Sequence, residues 1–220
     1  MGSTRLPGKS LAIVLGRTLL DLMLERVERA RTIDAIVVAT TTLPCDDQLA
    51  RIAPRRGLIT VRGSEQDVLS RYVAAAEKAA ADVVVRLTAD CPLLDPDVID
   101  HVVSVHRQLD GRADLVTNAP PSGRTYPDGM DVEVFDAGTL ARLRKLATSA
   151  ADREHVTRRL HSPPFTSKTV ELAPPAGDAR VTVDDVEDLE RVSAIFEQLY
   201  PRNPAFGLED VLRCLAVHQP

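Results

Sequence analysis

The opening residues of the chain combine turn formers with positive charge. Gly2, Pro7 and Gly8 bend the backbone within a few residues, and Arg5 and Lys9 place two cations in the same turn. A bent backbone whose free N–H groups converge beside fixed positive charge suits a polyphosphate. The alternative for the same residues is a solvated, frayed terminus. The turn indicates a phosphate site only if other parts of the chain complete it.

Two aspartates stand at positions where a carboxylate needs a partner. Asp90 comes just after a buried strand predicted at 82–87, and Asp184 follows a short strand predicted at 180–183. A carboxylate in such a place is costly unless it binds a cation or a hydrogen-bond donor. Both could instead cap the turn or helix that follows, as Asp often does. Asp185 is adjacent to Asp184, so spacing alone leaves open which of them would bind a cation.

Composition limits the kinds of protein that this chain can be. Its 220 residues suit one domain with a sizeable core, and 44% hydrophobic with 27% charged residues is typical of globular proteins. A net charge of −5 argues against nucleic-acid binding, and the 3% aromatic content argues against base-stacking surfaces. Three scattered cysteines, no membrane-length apolar run and no leader-like start predict a cytoplasmic protein with reduced thiols and no membrane partner.

Short β-branched runs alternate with longer amphipathic segments in the first half of the chain. This order predicts an α/β fold with a mostly parallel sheet and helices on both faces, and ligands bind such sheets where the strands end. Asp46 and Asp67 each open a predicted helix and could cap it. The predicted strands are 35–40, 58–61 and 82–87, and the predicted helices are 46–55, 67–80 and 97–109.

After Asn118 the pattern changes to a loop at 119–129 that is rich in proline and glycine. No linker or internal repeat divides the chain, so we predict one domain over residues 1–220. The second half is predicted to contain strands at 130–135 and 166–172 and helices at 138–146, 152–160, 186–199 and 208–217.

Seven blocks of the sequence, spread over nearly the whole chain, match the pattern of one known family. In chain order the blocks are GSTRLPGK (2–9), VATTT (38–42), RGSEQDVLSRY (62–72), VVRLTADCPLLDP (84–96), YPDGMDVEVF (126–135), REHVT (153–157) and VTVDDVEDLE (181–190). With these blocks the chain resembles the nucleotidyltransferases typified by CMP-KDO synthetase and the acylneuraminate cytidylyltransferases. Within that family it most resembles the spore-coat polysaccharide biosynthesis protein F group. Seven blocks in order are far more specific than any single motif.

The resemblance implies a fold, a reaction and a set of residues. The fold would be a single-domain, Rossmann-like three-layer sandwich of the nucleotide-diphospho-sugar transferase type, with a nucleotide-binding half at about 1–118 and an acceptor-binding half at about 119–220. The reaction would be transfer of a cytidylyl group from CTP, with Mg²⁺ and release of pyrophosphate. The implied catalytic residues are Arg5, Lys9, Asp90 and Asp184, of which the two aspartates would be the Mg²⁺ ligands.

The same resemblance implies which residues hold the nucleotide. Asp67 and Arg71 also have structural alternatives, as a helix N-cap and as an exposed helix residue. The implied nucleotide-binding residues are Gly2, Ser3, Thr4, Arg5, Gly8, Lys9, Thr40, Thr41, Ser64, Asp67, Arg71 and Thr88.

The acceptor, a small anionic sugar-like or phosphonate-like molecule, would lie against the second half. Asp131 and Glu133 are two residues apart and would share one face of a strand, where they could bind hydroxyls, orient the metal or take a proton. Residues 153–155 are predicted to open a helix and contact the anionic group, although a lone histidine is more often structural. The predicted acceptor-binding residues are Asp128, Asp131, Glu133, Arg153, Glu154 and His155.

The chain departs from the family pattern at its start. Members carry an apolar strand and an Ala-Arg pair ahead of the Met-Gly-Ser-Thr-Arg turn, and here Met1 is the methionine of that turn. The missing strand would be central in the sheet, and its loss would expose two unpaired edges. We therefore expect the native protein to begin about 10 residues upstream, the length of one strand with its lead-in. Related synthetases are commonly dimers, so we expect a homodimer.

The sequence leaves two other functions open. A glycosyltransferase on a related sheet would use a nucleotide-sugar, but such enzymes usually carry an Asp-x-Asp motif after a strand. This chain has Thr88-Ala-Asp90 there, which favours nucleotidyl transfer. A non-catalytic partner that keeps the fold is the second alternative, if the first strand is truly absent.

Overall fold

The computed structural model describes residues 5–217 of the chain. No helix in this range combines the length and the apolar character needed to cross a membrane. Short 3₁₀ turns lie at Lys9–Leu11, Pro44–Asp46 and Arg158–His161. The strands are β1 (Ile13–Val14), β2 (Arg17–Thr18), β3 (Val37–Thr41), β4 (Ile59–Gly63), β5 (Val83–Arg86), β6 (Leu115–Thr117), β7 (Glu133–Asp136) and β8 (Ser167–Thr169). The helices are α1 (Leu19–Val27), α2 (Asp47–Ala50), α3 (Ile52–Arg55), α4 (Val68–Ala79), α5 (Pro96–Leu109), α6 (Ala137–Leu146), α7 (Ala150–Glu154), α8 (Val186–Leu199) and α9 (Leu208–Val217).

The strands pair in three groups. β1 and β2 form a short antiparallel hairpin, β3 and β4 pair in parallel, and four further strands lie in the order β5-β7-β6-β8. In the last group β6 and β8 are parallel, and β7 is antiparallel to both β5 and β6. The connection from β6 to β7 contains no helix, and a strand reached without a crossover helix returns antiparallel. The pairing is therefore more mixed than the alternating sequence pattern predicted.

Helices cover both faces of the sheet, which confirms the α/β class and the layered sandwich. Neighbouring residues of β7 show the two faces. Val134 belongs to the core cluster formed with α1, α5 and α8, and Phe135 belongs to the cluster formed with α4 and α6. Consecutive side chains of a strand point to opposite faces, and both of these are fully buried.

Most predicted helices have the expected bounds, and α8 and α9 match theirs to the residue. The single helix predicted at 46–55 is wrong, because it is broken into α2 and α3. Pro54 has no amide hydrogen to donate to the carbonyl of Ala50. The hydroxyl of Thr60 donates to that carbonyl instead, at 3.3 Å.

The second half differs from the predicted elements in four places. The strand predicted at 166–172 is shortened to β8 (Ser167–Thr169). β7 begins at Glu133 rather than at 130. The helix predicted at 152–160 is replaced by the short α7 and a 3₁₀ turn. The strand predicted at 180–183 is reduced to one bridge between Asp128 and Arg180. Neither α1 nor β6 is among the predicted elements.

Asn118 joins the end of β6 to the segment that leads into β7. It is fully buried; its Nδ2 donates to the Met130 carbonyl at 2.7 Å, and its Oδ1 accepts from the Val132 N–H at 2.8 Å. Asn118→Ala would leave both buried backbone groups without this partner, at a cost of about 1–3 kcal/mol each. We expect urea denaturation to show a loss of about 2–5 kcal/mol in the free energy of unfolding.

The matched control is Gln108→Ala, which removes an exposed amide from α5. We expect that change to alter the free energy of unfolding by less than about 0.5 kcal/mol. An equally small effect of Asn118→Ala would contradict the role given to Asn118.

Candidate active site

The side chain of Lys9 lies between the carboxylates of Asp90 and Asp184. Its Nζ is 3.0 Å from Asp90 Oδ2 and 2.9 Å from Asp184 Oδ1, and only 16% of the side chain is exposed. Gly8, with φ of 75°, turns the backbone immediately before Lys9 into a conformation that most other residues avoid. Three predicted site residues from distant parts of the chain therefore converge on one point.

Backbone hydrogen bonds hold the segments that carry the two aspartates side by side. The carbonyl of Asp90 accepts from the N–H of Val183 at 2.8 Å and from the hydroxyl of Thr182 at 3.2 Å. Asp90 itself lies in the turn after β5, where the Cys91 N–H donates to the Thr88 carbonyl at 3.1 Å. These bonds bring the two carboxylates together independently of Lys9.

Gly129 allows the loop before β7 to approach the segment that leads to Asp184. Its φ of 107° is one that glycine adopts readily, and a Cβ at this position would overlap the backbone of Val181 and Thr182. The carbonyl of Asp128, one residue earlier, accepts from the N–H groups of Val181 at 2.6 Å and of Thr182 at 3.0 Å. The glycine thus helps to position Asp184 through the backbone.

Arg180 and Asp188 orient the carboxylate of Asp184, and sequence reasoning missed both. Nη2 of Arg180 donates to Asp184 Oδ2 at 2.8 Å and to Asp188 Oδ2 at 2.9 Å, and Arg180 also pairs with Asp128. The nearly buried Asp188 accepts from the N–H of Asp184 at 3.0 Å. Their four-residue spacing from Asp184 is visible in the sequence, but it equally describes ordinary surface charges.

Asp185 does not join the carboxylate pair. Its Oδ1 accepts from the N–H of Asp188 at 2.9 Å and caps the first turn of α8. The structure therefore places Asp184, and not its neighbour, against Lys9.

Pairing shifts the pKa values of all three central groups. Burial alone would lower the pKa of Lys9, but its bonds to Asp184 and Asp90 hold that pKa above its ordinary value of 10.5. Burial would raise the pKa of Asp90, yet the Thr88 hydroxyl and Lys9 hold it below 3.8. Burial would also raise the pKa of Asp184, but its hydrogen bonds with Lys9 and Arg180 hold that pKa below 3.8. All three groups are charged at neutral pH.

Arg5 adds a second cation to Asp184, with Nη2 3.1 Å from Oδ2. Its side chain is 62% exposed, so it faces solvent where Lys9 does not. The other residues predicted in this turn, Gly2, Ser3 and Thr4, lie outside the described residues.

Thr40 and Thr41, predicted to recognise the nucleotide, are buried at the end of β3. Their hydroxyls both donate to the buried carboxylate of Asp46. Burial would raise the pKa of Asp46, but these bonds contribute to lowering it to about 2. Asp46 therefore orders the end of β3, and the prediction that its side chain caps a helix is wrong.

The predicted nucleotide-binding residues around the start of α4 differ in the hydrogen bonds and ion pairs that they form. Asp67 caps the helix, accepting from the Ser70 N–H at 2.9 Å, and pairs with Arg153 at 2.6 Å. Ser64 accepts from the Asp67 N–H at 3.2 Å. Arg71 is partly buried rather than exposed, forms no ion pair with another described residue, and has a buried Nε without a partner there. Its charge is available for a ligand.

The acids predicted to bind the acceptor have separate partners. Asp131 pairs with Arg124, and the buried Glu133 pairs with Arg86. Because β7 begins at Glu133, Asp131 lies before the strand. The prediction that the two acids share one strand face is therefore wrong.

Arg153, Glu154 and His155 end a helix rather than open one. α7 begins after Ser149, whose hydroxyl accepts from the N–H of residue 152, and His155 is its C-terminal cap residue. Glu154 and His155 are exposed, and Arg153 turns toward Asp67 in the first half of the chain. The predicted helix start at these residues is wrong.

Asp90 and Asp184 present hard oxygen donors that converge on one positive group. Within residues 5–217 no three His, Cys, Asp or Glu side chains are grouped so that they could hold a metal ion. Mg²⁺ usually takes one or two protein carboxylates and completes its octahedron with phosphate oxygens and water. The pair of aspartates fits that mode of binding.

Comparisons of the sequence and of the fold with known proteins indicate one family. The sequence profile of the cytidylyltransferase family matches residues 1–180. The spore coat polysaccharide biosynthesis protein SpsF of Bacillus subtilis is 32% identical over 207 residues, which are 90% of this chain and 83% of that protein. A 3-deoxy-manno-octulosonate cytidylyltransferase of Anaeromyxobacter is 28% identical over 206 residues, which are 86% of this chain and 80% of that protein. A solved cytidylyltransferase from Leptospira borgpetersenii superposes with a TM-score of 0.92 at 32% identity, covering 99% of this chain and 90% of that one.

Lys9→Met should destabilise the protein in a pH-dependent way. The lowered pKa values of Asp90 and Asp184 contribute to the free energy of unfolding. This contribution is fully present above pH 3.8 and is lost as the pH falls through the pKa values of the folded protein. The contribution of Lys9 to the free energy of unfolding is fully present below pH 10.5 and is lost as the pH rises through the raised pKa of Lys9. We expect a loss of about 1–3 kcal/mol in the free energy of unfolding between about pH 5 and 10, because water still reaches these groups.

The difference in the free energy of unfolding between wild type and Lys9→Met should shrink as the pH falls through the lowered pKa values of Asp90 and Asp184, where the carboxylates become protonated. Denaturant unfolding across this pH range measures it, and the exposed Lys145→Met is the control. A difference that does not vary with pH would contradict the proposed charge pairing.

Proposed function

The chain belongs to the cytidylyltransferase family, and we propose that it transfers the cytidylyl group of CTP to a small anionic sugar-like or phosphonate-like acceptor, with Mg²⁺, releasing pyrophosphate. The observation that carries this proposal is the contact of one cation, Lys9, with two carboxylates from distant segments. A nucleotidyltransferase needs a metal site and phosphate-binding cations at one place. Asp90, Asp184, Lys9 and Arg5 supply those groups.

In the proposed reaction an acceptor oxygen forms a bond to the α-phosphorus of CTP. The bond from that phosphorus to the bridging oxygen breaks, and pyrophosphate leaves with the electron pair. Negative charge gathers on phosphate oxygens, so fixed cations stabilise the transition state. Lys9 and Arg5 would hold those oxygens, and Arg71 would hold the nucleoside end, since its charge is not used within the described part of the protein.

Asp90 and Asp184 would hold Mg²⁺, which supplies Lewis-acid stabilisation of the phosphate charge when bound. Arg180 and Asp188 would keep the Asp184 carboxylate in the orientation that this role requires, through the bonds described above. Asp185 has no part in this, because it caps α8.

The acceptor would lie beside Asp128, Asp131 and Arg124. Burial, followed by repulsion from Asp131 and Asp184, raises the pKa of Asp128, which makes its carboxylate a better base for the acceptor's proton. Arg124 is in position to pair with an anionic group in place of Asp131. The anionic sugar named in one relative's activity supports this class of acceptor.

A homodimer and a cytoplasmic location stay predictions.

The proposed function is tested by incubating the protein with CTP, Mg²⁺ and a panel of sugar acids and phosphonates, with coupled detection of pyrophosphate. We expect CTP-dependent release with at least one acid and none with UTP, GTP or ATP. Calorimetric titration with each nucleotide gives the base preference without any acceptor. Binding of another nucleotide in place of CTP would overturn the base assignment.

Asp184→Asn and Asp185→Asn form a matched pair of adjacent changes. Removing the carboxylate charge at Asp184 should lower kcat/KM for CTP by about 100- to 1000-fold, the usual size of a lost transition-state contact. Asp185→Asn should leave kcat/KM within about threefold, because Asn caps helices as well as Asp does. Steady-state kinetics of both variants measure this difference. Equal losses of kcat/KM in the two variants would contradict the role proposed for Asp184.

A further inference from the structure

The guanidinium of Arg124 holds the carboxylate of Asp131 with both of its terminal nitrogens. Nη1 donates to Oδ1, and Nη2 donates to Oδ2 at 3.1 Å. The two side chains are 25% and 28% exposed, so water and small solutes can reach the pair. A planar guanidinium binds the anionic group of a ligand with the same two parallel hydrogen bonds. Asp131 therefore occupies the edge of Arg124 that an external anion would use.

The backbone around Arg124 is fixed by contacts that do not involve Asp131. The N–H of Ala176 donates to the carbonyl of Thr125 at 2.8 Å. Gly177 lies so close to the carbonyl of Arg124 that a Cβ at this position would overlap it. The guanidinium should therefore stay in place when the carboxylate of Asp131 leaves it.

Asp128 connects Arg124 to the central ion pair. Its Oδ1 is 3.7 Å from Nη1 of Arg124, and its Oδ2 accepts from Arg180. Arg180 in turn donates to Asp184 at 2.8 Å. An anion bound to Arg124 would therefore be two ion pairs away from the carboxylate of Asp184.

Asp131 lies on the side of the other central carboxylate, Asp90. Burial, followed by the charges of Asp90 and Asp131, raises the pKa of the thiol of Cys91, the residue next to Asp90. The charge of Asp131 thus reaches the turn that carries Asp90. An anion that replaced Asp131 on Arg124 would lie beside the proposed metal and nucleotide site.

Among the described residues, Asp131 has fewer cationic partners than Asp128 or Asp184. Its carboxylate contacts one cation, Arg124. Asp128 contacts two arginines, and Asp184 contacts three cations. Displacing Asp131 breaks one ion pair, and the entering anion forms another with the same guanidinium. Asp131 is therefore the carboxylate that can exchange without disturbing the central ion pair.

We propose that Asp131 is an internal competitor for the anionic group of the acceptor. In the free protein its carboxylate occupies Arg124, and the acceptor binds by replacing it there. A neutral molecule at this place would leave both charged side chains without a partner, so the pair selects against neutral sugars. That the entering anion belongs to the acceptor rests on the proposed function, whereas the exchange itself rests on the geometry of the pair.

The exchange is tested by titrating the ¹⁵N-labelled protein with methylphosphonate, an anion without a sugar, and following the backbone amides between residues 124 and 131. Asp131→Asn keeps the shape of the side chain and removes its charge. We expect this change to lower the Kd at these amides at least about threefold, because the anion no longer displaces a carboxylate from a partly exposed ion pair. Amides of residues 8–11 report on anions near Lys9 and should give the same Kd in both proteins.

Two further variants exclude other causes. Asp97→Asn removes the same charge from an exposed ion pair with Arg31. It should leave the Kd within about twofold of wild type, because salt screens an exposed charge. The double variant Arg124→Gln with Asp131→Asn should bind methylphosphonate more weakly than wild type at residues 124–131, because the guanidinium is gone.

Equal Kd values of wild type and Asp131→Asn at residues 124–131 would overturn the proposal, as would a gain in affinity that survives the loss of Arg124. Asp131→Ser repeats the comparison with a second side chain and should shift the Kd in the same direction. The titration uses neither CTP nor turnover. Absence of pyrophosphate release would therefore count against the proposed function and not against the exchange.

Discussion

The site depends on one ammonium group placed between two carboxylates. Asp90 and Asp184 are held together by backbone hydrogen bonds, so their charges would repel each other without a cation between them. Lys9 meets that need from a position 81 and 175 residues away in the sequence. In the proposed reaction a divalent cation and a polyphosphate would take over the charges that Lys9 balances.

Two sets of contacts hold this ion pair in place. Gly129 brings the loop before β7 close to the segment before Asp184, and Arg180 with Asp188 then fixes the carboxylate itself.

The sequence correctly predicted the elements that are defined by patterns within a short stretch of the chain. The apolar spacing of 186–199 and 208–217 defines α8 and α9, and the cap at Asp67 defines the start of α4. It missed the break at 46–55, although Pro54 is visible in the sequence; there the hydroxyl of Thr60 in β4 donates to the carbonyl that a helical N–H would otherwise reach. The ion-pair partners Arg180 and Asp188 could not be predicted, because their spacing is that of any charged surface. The convergence of Lys9, Asp90 and Asp184 came from family resemblance, since no local pattern joins residues so far apart.

The most direct test of the central claim is the anomalous diffraction of crystals grown with CTP and Mn²⁺. We predict a metal peak between the carboxylates of Asp90 and Asp184, with the Nζ of Lys9 in contact with phosphate oxygens of the nucleotide. A metal bound elsewhere, with Lys9 still joined to both carboxylates beside a bound CTP, would contradict the account.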